Sequence, residues 1–148
     1  MLVSYPAIFY YDDSQPTKYF VSFPDINGPG TQGTAIPDAM YMASDYLGMM
    51  LADDIEAGRK VPSPSAINEL SLVENNPFKD DSDFQLTFDA DKSFISMVSV
   101  DISEYLGSQE PIKKTLTIPK WADKLGRDMH LNFSQTLTEA IANKKLEI

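Results

Sequence analysis

Lys113-Lys114-Thr115-Leu116-Thr117-Ile118-Pro119-Lys120-Trp121 is the stretch on which the architecture turns. From Ile112 to Ile118 polar and apolar residues alternate, the period of a strand with one wet face. Ile112, Leu116 and Ile118 fall on one side with Lys114, and Lys113, Thr115 and Thr117 fall on the other. Pro119 then suits the first turn of a helix, where the missing amide has no intrahelical partner to lose. A helix is expected from about Pro119 to Asp128, with Trp121, Ala122 and Leu125 as its apolar members. Asn132-Phe133-Ser134-Gln135 has the spacing of a capping box, and Phe133, Leu137, Ala140 and Ile141 continue at helical spacing, so a second helix follows. One strand and two short helices cannot close a core alone. Two copies that pair their strands can.

A strand and two helices completed by a second copy make up the ribbon-helix-helix arrangement, whose two-stranded ribbon lies in the major groove of DNA. The candidate DNA contacts are the outward Lys113, Thr115 and Thr117, whose amine, hydroxyls and methyls suit base edges. Asn132, Phe133 and Ser134 join them, because a helix N-terminus with free amides and no acidic residue in its first turn suits a phosphate.

Charge divides the chain in the same place. Residues 1–110 hold 5 basic and 18 acidic residues, a balance of −13, whereas residues 111–148 hold 7 and 4, a balance of +3. Only the short C-terminal piece is suited to approaching phosphates; the long acidic piece suits a basic partner. Between them Glu104-Tyr105-Leu106-Gly107-Ser108-Gln109-Glu110-Pro111 reads as a linker, which bounds two expected domains at 1–106 and 112–148. The cysteine count is zero, excluding disulfide scaffolds, thiol nucleophiles and cysteine zinc sites. Neither a signal peptide nor an apolar run of membrane length is evident, so a cytoplasmic protein is expected, with no membrane partner.

The N-terminal piece reads as mixed α and β. Tyr5 to Tyr11 is an aromatic-rich strand, Asp12-Asp13-Ser14-Gln15-Pro16 a turn, and Tyr19 to Phe23 a second strand, so a hairpin is expected. Pro24 to Gly33 is punctuated as a loop, and a helix should run from about Ile36 to Ala57 and end at Gly58. Ile36, Met40, Ala43, Leu47, Met50 and Leu51 form its expected core stripe. Met42, Tyr46 and Met49 form another stripe, either a second buried side or an adaptable docking surface. Leu70–Val73, Phe84–Phe88 and Phe94–Ile102 are expected as three further strands, giving an α+β sheet with the helix on one face.

Taken together, Phe23-Pro24-Asp25, Val100-Asp101-Ile102-Ser103-Glu104-Tyr105, Leu116-Thr117-Ile118-Pro119-Lys120-Trp121 and Asn132-Phe133-Ser134 resemble, in order and spacing, the HicB-type antitoxins of type II toxin–antitoxin systems. The resemblance implies a partial RNase H-like N-terminal domain that occludes a small basic mRNA-cleaving ribonuclease, HicA, and a C-terminal ribbon-helix-helix domain that dimerises and represses the shared operon. It also implies a hetero-oligomer with that toxin. Two departures stand out: Asn75 to Asp91 reads as an added segment, and Ala35 replaces the usual cap before the long helix.

Candidate toxin contacts are Asp53, Asp54 and Glu56 at the end of the long helix, with Met42, Tyr46 and Met49, or else Asp12 and Asp13 in the first turn. The plainer reading of each acidic cluster is a solvated face. No catalytic residue, metal site or cofactor is expected: the acidic residues show no metal-ligand spacing, and the sole histidine, His130, lies between two helices of the tail. A repressor whose N-terminal domain senses a small molecule is the alternative to an antitoxin.

Overall fold

A computed structural model describes residues 1–146. Four strands, β1 (Leu2–Tyr11), β2 (Tyr19–Ser22), β3 (Thr31–Gly33) and β4 (Phe94–Asp101), form one antiparallel sheet in the order β3-β2-β1-β4. Three helices, α1 (Ile36–Glu56), α2 (Lys120–Asp128) and α3 (Phe133–Leu146), complete an α+β chain. The hairpin, the long helix and the last strand stand where sequence periodicity puts them.

β1 is the centre of the sheet because its side chains are apolar on both faces. Tyr5, Ala7 and Phe9 point towards α1 and meet Ala43, Leu47 and Leu51, all buried. Ile8 and Tyr10 point the other way and are buried too, beneath the residues that connect α1 to β4. The Tyr10 hydroxyl donates to the carbonyl of Leu72 at 2.8 Å, and the Phe88 ring meets Tyr10 edge-on with centroids 4.9 Å apart. Burying aromatic and branched side chains on both sides of one strand removes most of its apolar area from water, at about 25 cal/mol per Å².

Several expectations change. Leu70–Val73 and Phe84–Phe88 are not strands. Their alternation is real, but it serves to drop Phe84 and Phe88 among rings on the back of the sheet rather than to join a ladder, with Phe84 edge-on to Phe78 at 4.7 Å. The glycine-rich loop contains a strand, β3, that its punctuation conceals. Gly33 ends it because a Cβ there would lie 2.4 Å from the Ala39 Cα, so only glycine lets the sheet edge rest on the first turn of α1. Along α1 the apolar stripe is narrower than expected, since Ile36 is exposed and Met40 and Met50 are half-buried.

Ala35 offers no side-chain cap to α1. Asp38 compensates: its carboxylate accepts from the Thr34 amide at 2.6 Å and the Thr34 hydroxyl at 2.9 Å, which lowers its pKa. The negative charge also sits at the positive end of the helix dipole.

In the tail, residues 106–119 form neither helix nor strand in the single chain, so the ladder expected at 112–118 has no partner strand here. α2 ends in a Schellman turn: the Leu131 amide donates to Gly126 O at 2.9 Å and the His130 amide to Arg127 O at 3.0 Å. That turn needs a left-handed residue, and His130 supplies it with φ 55°. Asn132 then caps α3, its side-chain oxygen accepting from the Gln135 amide at 3.1 Å. The box is only half formed, because the Gln135 side chain turns to Glu139.

Candidate interaction surfaces

The outer side of α1 is the first surface. Met42, Met49, Asp53 and Glu56 recur at spacings of seven, four and three, so they share one face of the helix. Met49 and Asp53 are exposed and Met42 is half-buried. Tyr46 does not stand with them. It is buried, stacks on Phe23 at 5.9 Å, and its hydroxyl accepts from the Gly30 amide at 3.2 Å, so it is a core residue that pins the glycine loop. A side chain on Gly28 would collide with that hydroxyl, which is why the loop carries glycine there.

The carboxylates at the end of α1 are tied inward. Arg59 ion-pairs with Asp53 and, through Nε at 2.8 Å, with Asp54. This local partner relieves the unfavourable placement of negative charge at a helix C-terminus. Glu56 accepts from the Gly107 amide and thereby anchors the linker. Asp12 and Asp13 are likewise occupied: Asp12 accepts from the Ser14 hydroxyl and amide, and Asp13 pairs with Lys18 at 3.0 Å. Those bonds lower both pKa values and make the acidic turn self-bracing.

The turn after β4 crosses α1. Tyr105 donates to Asp45 at 2.9 Å and lies over Gly48, where a Cβ would come within 2.6 Å of the ring. Burial first, then that bond, pushes the Tyr105 pKa up to about 12. Asp101 is held down to about 2, chiefly by the Ser103 hydroxyl and then by the Met1 amino group at 3.0 Å.

The second surface is the tail. Ile112, Leu116 and Trp121 are 84%, 56% and 70% exposed, and Leu125, Met129, Phe133 and Ile141 are exposed as well. α2 and α3 touch each other through Gly126, whose missing side chain admits the Phe133 ring; a Cβ would sit 2.6 Å from it. Lys113, Thr115 and Thr117 are all exposed. Asn132 and Phe133 serve structural roles, as cap and as packing ring, while Ser134 is exposed with its carbonyl accepting from Thr138. The end of α3 returns to the N-terminal unit, where Lys145 donates to Arg59 O at 3.0 Å and Leu146 packs against the core.

Among the described residues there is no group of three or more His, Asp or Glu placed to hold a metal, and no helix long and apolar enough to cross a membrane.

Residues 4–73 match the model of the HicB_like antitoxins of bacterial toxin–antitoxin systems. A chain of the "Toxin-Antitoxin complex from Streptococcus pneumoniae" is 67% identical, with TM-score 0.71, and the match covers 98% of this chain and 100% of that one. This chain belongs to the HicB-like antitoxin family. The Burkholderia pseudomallei antitoxin HicB, at 24% identity and TM-score 0.58 over 94% of this chain and 96% of that one, shares the fold. No curated protein matches. The HicB-like chain is thus an antitoxin of a toxin–antitoxin system, as the order of its short motifs implied.

Of the residues singled out in the sequence, α1 gathers Met42, Met49, Asp53 and Glu56, while the tail holds Lys113, Thr115 and Thr117 on one segment that is neither helix nor strand. Sequence reasoning missed Arg59, Asp45 and Tyr105. Arg59 had one available signal, as the first cation, with Lys60 beside it, after three carboxylates within seven residues.

Proposed function

We propose that this antitoxin occludes a HicA-type ribonuclease with its N-terminal unit, residues 1–106, and that residues 112–148 pair two copies into a ribbon-helix-helix dimer that binds operator DNA and represses its own operon. In this reading the sheet and α1 form the partial RNase H-like body, and toxin and operator are met together in the cytoplasm. The observation that carries the dimer is the tail's own surface. An apolar row from Ile112 to Ile141 is left in water by the single chain, whereas the opposite face of its first segment is polar. So many large apolar side chains left exposed in one short segment suit an interface. Strand pairing of 112–118 with its copy would cover it and turn Lys113, Thr115 and Thr117 outward, three from each chain.

The toxin face assigned here is the outer side of α1, with Met49 and Met42 as adaptable contacts and Asp53 as the charged one. Asp54 and Glu56 support it by holding Arg59 and the linker. A balance of −13 over residues 1–110 matches a protein that must be basic to hold RNA, and speeds its capture.

One observation favours the ligand-sensing alternative. An open cleft of about 450 Å³ lies between the first turn and the added segment, lined by Tyr10, Lys18, Phe20, Phe78 and Phe84. Operator release by toxin alone favours the occlusion reading, and release by a small molecule without toxin favours the sensor.

The test pairs two assays on one set of variants. Alanine at Lys113, Thr115 and Thr117 should erase operator discrimination in a gel shift while leaving growth rescue from the toxin intact. Operator binding should also weaken by about 0.9 log unit per log unit of salt for each phosphate contact. Wild-type discrimination by the triple variant, or a flat salt response, refutes the assignment.

A further inference from the structure

The sheet has two edges of very different character. β3 is three residues long and pressed on α1 at Gly33. β4 is eight residues long, and among the described residues no strand lies on its outer side.

Register decides which of its groups face outward. The Ile102 amide donates to Met1 O at 3.0 Å, and the Asp12 amide donates to Lys18 O at 2.8 Å. Odd-numbered residues of β1 therefore bond to β4, and even-numbered ones bond to β2. The β4 residues opposite the even ones, Ile95, Met97, Ser99 and Asp101, turn their amides and carbonyls away from the sheet. Pro6 lies opposite Met97, and its lack of an amide costs that ladder nothing.

Native edges of this length are ordinarily blunted by lysine, proline, a bulge or a covering element. Phe94-Ile95-Ser96-Met97-Val98-Ser99-Val100-Asp101 contains no proline, glycine or basic residue. Partial cover comes from the Ser44 hydroxyl, which donates to Ser99 O at 2.8 Å, and from the Ser96 hydroxyl, which donates to Met97 O at 3.1 Å. Among the described residues no hydrogen bond engages the amides of Ile95, Met97 and Ser99, which lie beside a Met97 side chain that is 41% exposed.

We propose that the outer edge of β4 takes an extended strand from a cationic protein partner by main-chain pairing along Ile95–Ser99, adding a fifth strand to the sheet. The inference rests on the toxin-binding reading above and names how that partner is held. Charge selects the occupant. A second copy would bring another body of −13 to strand spacing, about 4.8 Å, whereas a basic chain would meet Asp101, Glu104 and Asp45 around the Ser99 end. Ser44 also makes the edge continuous with α1, so one partner spans both.

Backbone hydrogen exchange, measured on the full antitoxin with and without an inactivated HicA-type ribonuclease, tests this. The Ile95, Met97 and Ser99 amides should exchange readily in the free protein and at least tenfold more slowly in the complex. A formed complex that leaves all three fast overturns the proposal. Slowing that instead grows with antitoxin concentration alone identifies a second copy as the occupant, and also overturns it. No complex at all would refute the toxin reading and this inference with it. Met97→Pro gives a second arm: its amide is outside the internal ladder, so thermal unfolding and operator binding should be unchanged while toxin affinity falls at least tenfold. Unchanged affinity in a folded Met97→Pro protein counts against the edge.

Discussion

The two ends of this antitoxin treat apolar residues in opposite ways. In the N-terminal unit Tyr5, Ile8, Phe9, Leu47 and Leu51 are all but removed from water, because a strand apolar on both faces finds α1 on one side and the added segment on the other. In the tail, Ile112, Leu116, Trp121 and Leu125 stay exposed although their spacing is equally regular. The difference is one of size rather than composition. About a hundred residues can wrap a sheet; about forty, arranged as one extended segment and two short helices, cannot enclose anything of their own. The lesson is that regular amphipathic patterning tells which face is to be covered, without telling whether the cover comes from the same chain.

The sharpest way to break this comparison is to charge the tail's apolar face. Leu116→Asp should convert the proposed dimer to a monomer, with a loss of at least about 2 kcal/mol in association, as for a central interface residue. Light scattering should register that change while the N-terminal unit's thermal transition stays in place. A Leu116→Asp protein that remains dimeric would show that the tail's exposed row is not the interface. The converse substitution is Leu47→Ala, which opens a cavity in a closed core. It should cost about 2–5 kcal/mol in denaturant unfolding of the N-terminal unit and leave dimerisation unaltered. Coupled loss of both would mean that the two regions fold as one. The smallest effect tests the joint between the tail helices: His130 occupies a left-handed position that glycine fills without a Cβ penalty. His130→Gly should stabilise the tail by about 1 kcal/mol, read as a higher melting point in the dimer, and a lower melting point would contradict the Schellman assignment.

Much of this was legible in residue order. Tyr5 to Tyr11 and Tyr19 to Phe23 declared a hairpin because both are rich in aromatic and branched residues on either side of an Asp-Asp-Ser turn. Gly58 marked the end of α1, and its φ of 71° shows why glycine stands there. Asn132 marked the start of α3, and it does cap that helix. Other features were invisible for stated reasons. β3 is three residues held by pairing with β2 and by contact with α1, neither of which a local pattern carries. Phe84–Phe88 alternates like a strand, yet its rings find Tyr10 and Phe78 before its backbone finds a neighbour. Tyr46 shares a helical stripe with Met42 and Met49 but reaches sideways to the glycine loop, since a long aromatic side chain is aimed by what it meets.

Of the candidate surfaces, the polar alternation of 112–118 and the acidic balance of the N-terminal piece were legible, because alternation and charge are properties of order and composition. The inward ties of Asp54 and Glu56, and the open edge of β4, were not.

What the order of residues settled by itself was which segments are amphipathic, where helices begin and end, and which end of the chain is basic, since these depend on neighbours within about one or two helical turns. Tertiary structure alone decided which carboxylates are already spoken for, which aromatic rings close the back of the sheet, and which strand forms its long outer edge. Those outcomes depend on groups brought together from as far apart as Glu56 and Gly107 or Tyr10 and Leu72, and no local period encodes a meeting at that separation.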